Sequence, residues 1–295
     1  MQDKNYRIGH LLLALMVLTW GANYGIVKSA LRDLSPVLFS ALRFTFAGTF
    51  VLLLALKWEK GVLIRRKDLG RVVLVGTLGI GIYQTFWSTG LNFTSASNSA
   101  LILSSTPLWG ALYIHLVEKE SIGKKQYLYM FIALCGVFLV VLKPTARLHF
   151  SIDTLTGDLL TLMASFCGAI FLSAWSKPLL LIYSPLRLMG CCMMFGSVVL
   201  WLAVPFYRSP ASLNQVGMAS WWALGYAVLF SGIIGHVSYY GGIKKLGVTR
   251  SMVFLYLVPL WAVIFNAFFF GERIYPQQIL GGVLIILGVH GIFRR

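Results

Sequence analysis

The sequence predicts an all-α integral membrane protein. Its ten transmembrane helices form two inverted five-helix repeats around a central cavity, with both termini inside. Three observations lead there. First, the 295-residue chain is 58% apolar and only 12% charged, with mean hydropathy +0.79, too little charge for a soluble domain of this length. Second, ten apolar runs each approach the roughly 20 helical residues needed to cross a hydrocarbon core about 30 Å thick. They lie near 9–30, 35–56, 70–90, 96–117, 124–142, 157–177, 185–206, 219–242, 248–270 and 276–293. Third, the chain repeats itself at an offset of 152: Gln84 falls on His236, Gly90 on Gly242, Ser99 on Ser251, and Thr106-Pro107-Leu108-Trp109 on Val258-Pro259-Leu260-Trp261. Glu120, Gln126 and Gly136 continue onto Glu272, Gln278 and Gly288 without a gap. A repeat of this length is a duplicated half-protein, not a solenoid unit.

The halves are taken as 1–147 and 148–295. Five spans per half is an odd number, so the second copy enters the membrane upside down. Inverted repeats of this kind build alternating-access transporters with a substrate site near the midplane. Orientation follows from the basic residues. With the N-terminus inside, eighteen of the 25 Lys and Arg fall in inside segments, six fall outside, and Arg43 lies within a span. That bias places both termini in the cytoplasm. The net charge of +16 then reflects topology and contact with anionic lipid at the cytoplasmic face. Its spread over separate short segments argues against a nucleic-acid partner.

The first span lacks a clear small-residue cleavage site and precedes nine others, so it reads as a retained helix and not a signal peptide. It carries Trp20-Gly21-Ala22-Asn23-Tyr24. Asn23 needs either a neighbouring helix or a water-lined cavity as partner. Gly21 and Gly25 permit close helix approach. The second span opens with Ser35-Pro36 and the seventh with Ser184-Pro185, where proline costs no backbone bond. Arg43, two turns inside the second span, either holds a substrate carboxylate or ties helices together. Its place nearer the outer end favours the structural role.

The third span presents Tyr83, Gln84, Phe86, Trp87 and Ser88, and the eighth answers with His236, Tyr239 and Tyr240. Through the repeat, Gln84 maps to His236, Trp87 to Tyr239 and Ser88 to Tyr240. Polar meets polar and aromatic meets aromatic, as expected of two walls of one cavity. An aromatic stripe alone would be ordinary packing; the paired polar positions are what point to a cavity. Pro107 and Pro259 fall mid-span at equivalent places. Each frees a carbonyl and bends its helix, which protein or a water cavity must compensate. They are candidate hinges or gates, with static kinks as the plainer reading. The fifth and tenth spans, with Gly136 and Gly288 matched, look like packing helices, and the glycines alone establish no dimer face.

Other chemistry is sparse. Cys135, Cys167, Cys191 and Cys192 all fall in spans without CxxC spacing, so neither disulfide nor metal is expected. No phosphate loop, GxSxG or HExxH motif is present, and no cofactor or enzymatic activity is expected. All nine acidic residues lie in loops or at span ends, so a midplane carboxylate relay is unsupported. His236 is the titratable side chain well inside a span, and a hydrogen-bonded neutral imidazole is the favoured reading over a proton carrier.

Trp20-Gly21, Pro36 with Arg43, and the run from Ala100 through Pro107 to Glu120 resemble the drug/metabolite transporter superfamily, EamA branch. Gly168, Pro185, Pro259 and Glu272 echo the pattern in the second half, which lacks the Trp and the Arg. The resemblance spans essentially the whole chain. It implies ten helices in two inverted repeats and a cavity lined by spans one, three, four, six, eight and nine. It also implies bacterial plasma-membrane transport, commonly export, of amino acids or related small metabolites. Related carriers of nucleotide sugars use several basic residues in the cavity, whereas here Arg43 is the basic residue well inside a span. A lipid-modifying membrane enzyme would need convergent acidic, His or metal-binding groups that these spans do not supply. A channel would not need duplicated kinked helices.

The substrate-binding set read from the sequence is Asn23, Tyr83, Gln84, Trp87, His236, Tyr239 and Tyr240. Aromatic faces with neutral amide and imidazole groups suit a neutral amphipathic metabolite, and can hold an ammonium by cation–π attraction. Aromatic or large apolar amino acids come first, and a broader range of drugs and amines second.

Overall fold

The fold is known from a computed structural model that describes residues 2–30, 33–60, 64–142, 152–207 and 216–293. The expected boundary between halves, at 147/148, lies outside the described residues. All regular structure among them is helical. The helices are numbered here by the segment they occupy: α1 Gln2–Ala30, α2 Pro36–Trp58, α3 Arg66–Gly90, α5 Lys124–Val141, α6 Thr154–Ile182, α7 Pro185–Phe206, α8 Met218–Leu246, α9 Val248–Phe270 and α10 Pro276–Phe293. These nine are long and apolar enough to cross a membrane. The remaining apolar segment is interrupted: α4a, Ala96–Leu103, and α4b, Thr106–Leu116, are joined by a turn at Ser104-Ser105. Pro107, in the first turn of α4b, has no N–H to continue the ladder of α4a. Neither piece alone has the length of a span.

The local signals recur at repeat-equivalent places. Ser35 Oγ accepts the Leu38 N–H and starts α2, and Ser184 Oγ accepts the Arg187 N–H and starts α7. Each satisfies an orphan donor of a first helical turn. Gln126 Oε1 takes the Gly123 N–H before α5, and Gln278 Oε1 takes the Tyr275 N–H before α10. Asp33 accepts from the Gly217 N–H at 3.0 Å and the Ser220 hydroxyl at 2.5 Å. At the matching place, the Tyr183 hydroxyl accepts the Arg65 N–H at 3.1 Å and donates to Asp68 at 2.6 Å. The second pair lies 152 residues before the first, and the side chain that anchors it has changed from carboxylate to phenol.

Packing is doubled as well. α2 lies along α7, and α5 along α10. α1 packs on α8 and α9, while α6 packs on α3 and on both pieces of α4. The α5–α10 contact is made at backbone level: a Cβ on Gly281 would stand 2.5 Å from the Gly136 carbonyl, and one on Gly136 would stand 2.6 Å from that of Gly281. Small residues permit such approach where lipid gives helices no hydrophobic reason to associate. The outward faces carry exposed Leu, Ile and Phe, among them Leu11, Phe46, Phe50, Phe268 and Leu287, as a lipid-facing surface requires.

Among the described residues, three helices contain π turns: Thr77–Ile82 in α3, Gly168–Ala174 in α6 and Ala227–Gly235 in α8. The first, moved by 152, falls inside the third. Such turns interrupt the normal register and concentrate at functional sites. The backbone is also irregular just before each mid-span proline. The Ser104-Ser105 turn precedes Pro107, and a 3₁₀ turn over Phe254–Tyr256 precedes Pro259. Both are identifiable causes of a bend.

Candidate functional site

The π turn of α8 ends at Gly235, and His236 follows it. Within the turn, the Ser231 carbonyl takes two side-chain donors: the Trp20 indole N–H at 3.0 Å and His236 Nδ1 at 2.9 Å. A carbonyl only accepts, so in the neutral ring Nδ1 carries the proton and Nε2 keeps its lone pair. The Ser231 hydroxyl accepts from Arg43 Nη2 at 3.1 Å. One residue therefore ties α1, α2 and α8 together. Gly235 makes this possible, because a Cβ there would collide with the Trp20 indole.

Rings close the cluster. Trp20 lies 4.8 Å from His236 and 5.5 Å from Tyr239, and Phe44 meets the imidazole edge-on at 5.5 Å. The Arg43 guanidinium sits 4.8 Å from the Phe44 ring centre, within cation–π range. The Tyr239 hydroxyl shares a 2.9 Å bond with Ser173, in the π turn of α6. His236, Tyr239, Tyr240 and Gln84 are all buried, and Arg43 is 9% exposed. Arg43 Nε is buried without a hydrogen-bond partner, and among the described residues no carboxylate lies within ion-pair distance of this side chain.

A second set of polar groups lies where α6 meets α4. Ser165 shares hydrogen bonds with Thr106 at 2.8 Å and Ser105 at 3.3 Å, and the Trp109 indole donates to Ser105 at 2.8 Å. Tyr83 lies over Gly168, where a Cβ would find its ring at 3.4 Å and the Thr106 methyl at 3.9 Å. The equivalent Gly21 is closed in: a Cβ there would meet Trp261 at 2.6 Å and the Val258 carbonyl at 2.9 Å. At this glycine α1 and α9 are thus closed together where α6 and α4b leave room, although Ser165 ties α6 to α4 one turn earlier.

Of the residues singled out from the sequence, the structure joins His236 to Arg43 through Ser231 and sets Tyr239 against Trp20. Arg43, read as a helix tie or a ligand for a substrate carboxylate, bonds the Ser231 hydroxyl and so joins α2 to α8. Tyr240 is buried beside Tyr239, with ring centres 6.4 Å apart. Gln84 Oε1 and Asn23 Oδ1 are buried without partners, and Trp87 is half-buried. Among the described residues, no direct bond joins these three to the cluster. Ser231, Phe44 and Ser173 went unread as site residues. The signal for Ser231 was its pairing with Gly79 through the repeat, in the small-residue run that forms the π turn. No group of His, Cys, Asp and Glu among the described residues is arranged to hold a metal.

A helical membrane protein with its polar and aromatic groups gathered between α1, α2 and α8 is built as multi-pass carriers are. The EamA-like transporter family model matches residues 7–142 and again 155–294, and the chain belongs to that family. It is similar to "Uncharacterized transporter YyaM" of Bacillus subtilis, 29% identical over 288 residues, covering 97% of this chain and 93% of the relative. It is also similar to the "Probable terminal-alkyne amino-acid exporter" of Streptantibioticus cattleyicolor, 27% identical over 96% of this chain and 92% of that one. A crystal structure with 17% identity superposes at a TM-score of 0.84 over 97% of the chain and 96% of its own, a likeness of fold. The protein is a multi-pass membrane transporter.

Proposed function

We propose that the chain is an alternating-access exporter of small amphipathic metabolites, with aromatic or large apolar amino acids first. In this reading α4a and α4b together make a tenth span. Residues 1–147 and 148–295 are inverted five-helix repeats, and both termini lie in the cytoplasm of a bacterial inner membrane. The observation that carries it is the doubled contact pattern with one unequal pair. The main helix contacts of one half have counterparts in the other (α1–α8 with α6–α3, α1–α9 with α6–α4, α2–α8 with α7–α3), yet α1–α9 is closed at Gly21 while Gly168 leaves room between α6 and α4b. A carrier caught open to one side has that asymmetry, and exchanging the two arrangements opens it to the other. Pro107 and Pro259, each beside irregular backbone, are the proposed hinges.

The substrate class follows from the cluster. Tyr83, Trp87, Tyr239 and Tyr240 supply aromatic faces, and Asn23, Gln84 and the Nε2 of His236 supply neutral polar groups. A buried guanidinium without a carboxylate costs several kcal/mol unless balanced (about 3–5 when a buried pair is broken). Arg43 therefore favours a substrate carrying its own carboxylate, as amino acids do. The name of the Streptantibioticus relative points the same way. Counterflow in proteoliposomes tests the whole reading: labelled tryptophan or leucine should accumulate saturably against the unlabelled amino acid. Flux that rises linearly with concentration, for these and for amines alike, would sink it.

A further inference from the structure

A second feature lies away from the central cluster. A cleft of about 390 Å³ opens between α3, α4b and α6, lined by Arg71, Leu74, Tyr113 and Trp175. That volume is within the range of small-molecule sites, about 300–1,000 Å³. The Arg71 guanidinium stands 5.8 Å from the Trp175 ring centre. Phe171 holds the indole edge-on at 5.0 Å, and the indole N–H donates to the Tyr113 hydroxyl at 2.8 Å. With its oxygen engaged as acceptor, that phenol still has its own proton to donate. Arg71 is exposed, and among the described residues no carboxylate is paired with it. Glu118 and Glu120, just beyond α4b, are both taken by Lys177. At the repeat-equivalent place, Arg71 is answered by Ala223, Leu74 by Tyr226 and Tyr113 by Phe265. There Ala223 is buried, and the Tyr226 hydroxyl donates to the Thr19 carbonyl.

We propose that this cleft is a binding site for organic anions with a flat or large apolar body. Arg71 takes the carboxylate, the Tyr113 hydroxyl gives it a second hydrogen bond, and Trp175 with Leu74 holds the body. The three groups supply what such a ligand needs: a charged donor, a neutral donor and an apolar wall. A guanidinium is weakly hydrated and stacks on aromatic faces, so the resting contact with Trp175 keeps Arg71 in place without cancelling its charge. The site lies on the α6–α4b side, where Gly168 leaves room, and would be the mouth by which a carboxylate-bearing substrate reaches Arg43. That placement rests on the transport reading, whereas the binding itself does not.

The test is calorimetric titration of the full chain, in a nonionic detergent free of anionic lipid, with indole-3-propionate and its neutral amide. The carboxylate should bind about tenfold tighter, as a charge-assisted bond outweighs a neutral one. Arg71→Gln should remove that preference, Arg71→Lys should keep part of it, and Trp175→Leu should weaken both ligands together. Arg71 is exposed, so Arg71→Gln should melt with wild type. Equal binding of acid and amide by wild type would overturn the proposal. So would a preference that survives Arg71→Gln and disappears in Arg43→Gln, which puts the carboxylate at the central cluster. Arg71-dependent binding of phosphatidylglycerol without any preference for the indole carboxylate would make the cleft a headgroup site and equally refute it. Counterflow in wild-type proteoliposomes reports on the transport reading separately, since its absence leaves the calorimetric result standing.

Discussion

His236 offers the sharpest test of how the cluster is built. Two replacements separate its packing from its hydrogen bonding. His236→Ala removes a ring that is 5% exposed and touches Trp20 and Phe44. Emptying a buried site of that size costs about 2–4 kcal/mol. His236→Phe keeps a ring of similar shape against both aromatics and loses the bond to the Ser231 carbonyl. That carbonyl is not left bare, because the Trp20 indole still donates to it at 3.0 Å. The cost should therefore be that of one hydrogen bond, about 0.5–1.5 kcal/mol, at the low end as in other membrane helices. Function should respond in a different order. Both variants lose the free Nε2, so both should weaken amino-acid binding by about 1–3 kcal/mol, or roughly 5- to 150-fold. Equilibrium unfolding in mixed micelles reads the first quantity, and ligand titration on the folded variants reads the second. If His236→Phe is as unstable as His236→Ala, the bond to Ser231 and not packing governs the site. If His236→Phe binds and transports as wild type, Nε2 faces no substrate.

Trp87→Ala should weaken binding of the correct amino acid by about 1–3 kcal/mol, the loss of a stacking face, and an unchanged affinity would move the site elsewhere. Pro107→Ala and Pro259→Ala should each slow counterflow while leaving the melting temperature nearly unchanged; wild-type rates in the double variant would reduce both to static bends. Gly281→Val forces a side chain to within 2.5 Å of the Gly136 carbonyl, so it should cost about 1–3 kcal/mol by overpacking, and an unchanged unfolding midpoint would disprove backbone contact between α5 and α10. Tags at both termini should be reachable from the cytoplasm and one within 144–155 from outside; external labelling of the 59–68 segment in intact cells would reverse the orientation.

Much of this protein is written in local sequence. Apolar runs of bilayer length are a one-dimensional property, and they placed every long helix. Ser35, Ser184, Gln126 and Gln278 cap turns within a few residues of themselves, so the helix starts at these places were legible too. The repeat at 152 was visible because Pro, Trp, Gly and Glu keep their identities where their geometry is needed. The break at Ser104-Ser105 was half legible: proline marked a kink, but whether the chain bends or unwinds there depends on what packs around it. The site was harder to read. The repeat matched Gln84 to His236, but the two make no bond to each other, and although Arg43 does join α2 to α8, depth along a span says nothing about which neighbour a long side chain reaches. The role of Ser231 lies in its carbonyl, and no residue type announces a carbonyl that a π turn offers to side chains. Nor does any pattern place Arg71 over Trp175, about a hundred residues apart in the chain. Hydropathy and capping are settled by near neighbours, whereas the cluster and the cleft exist because small residues let separate helices approach closely enough for their polar groups to meet.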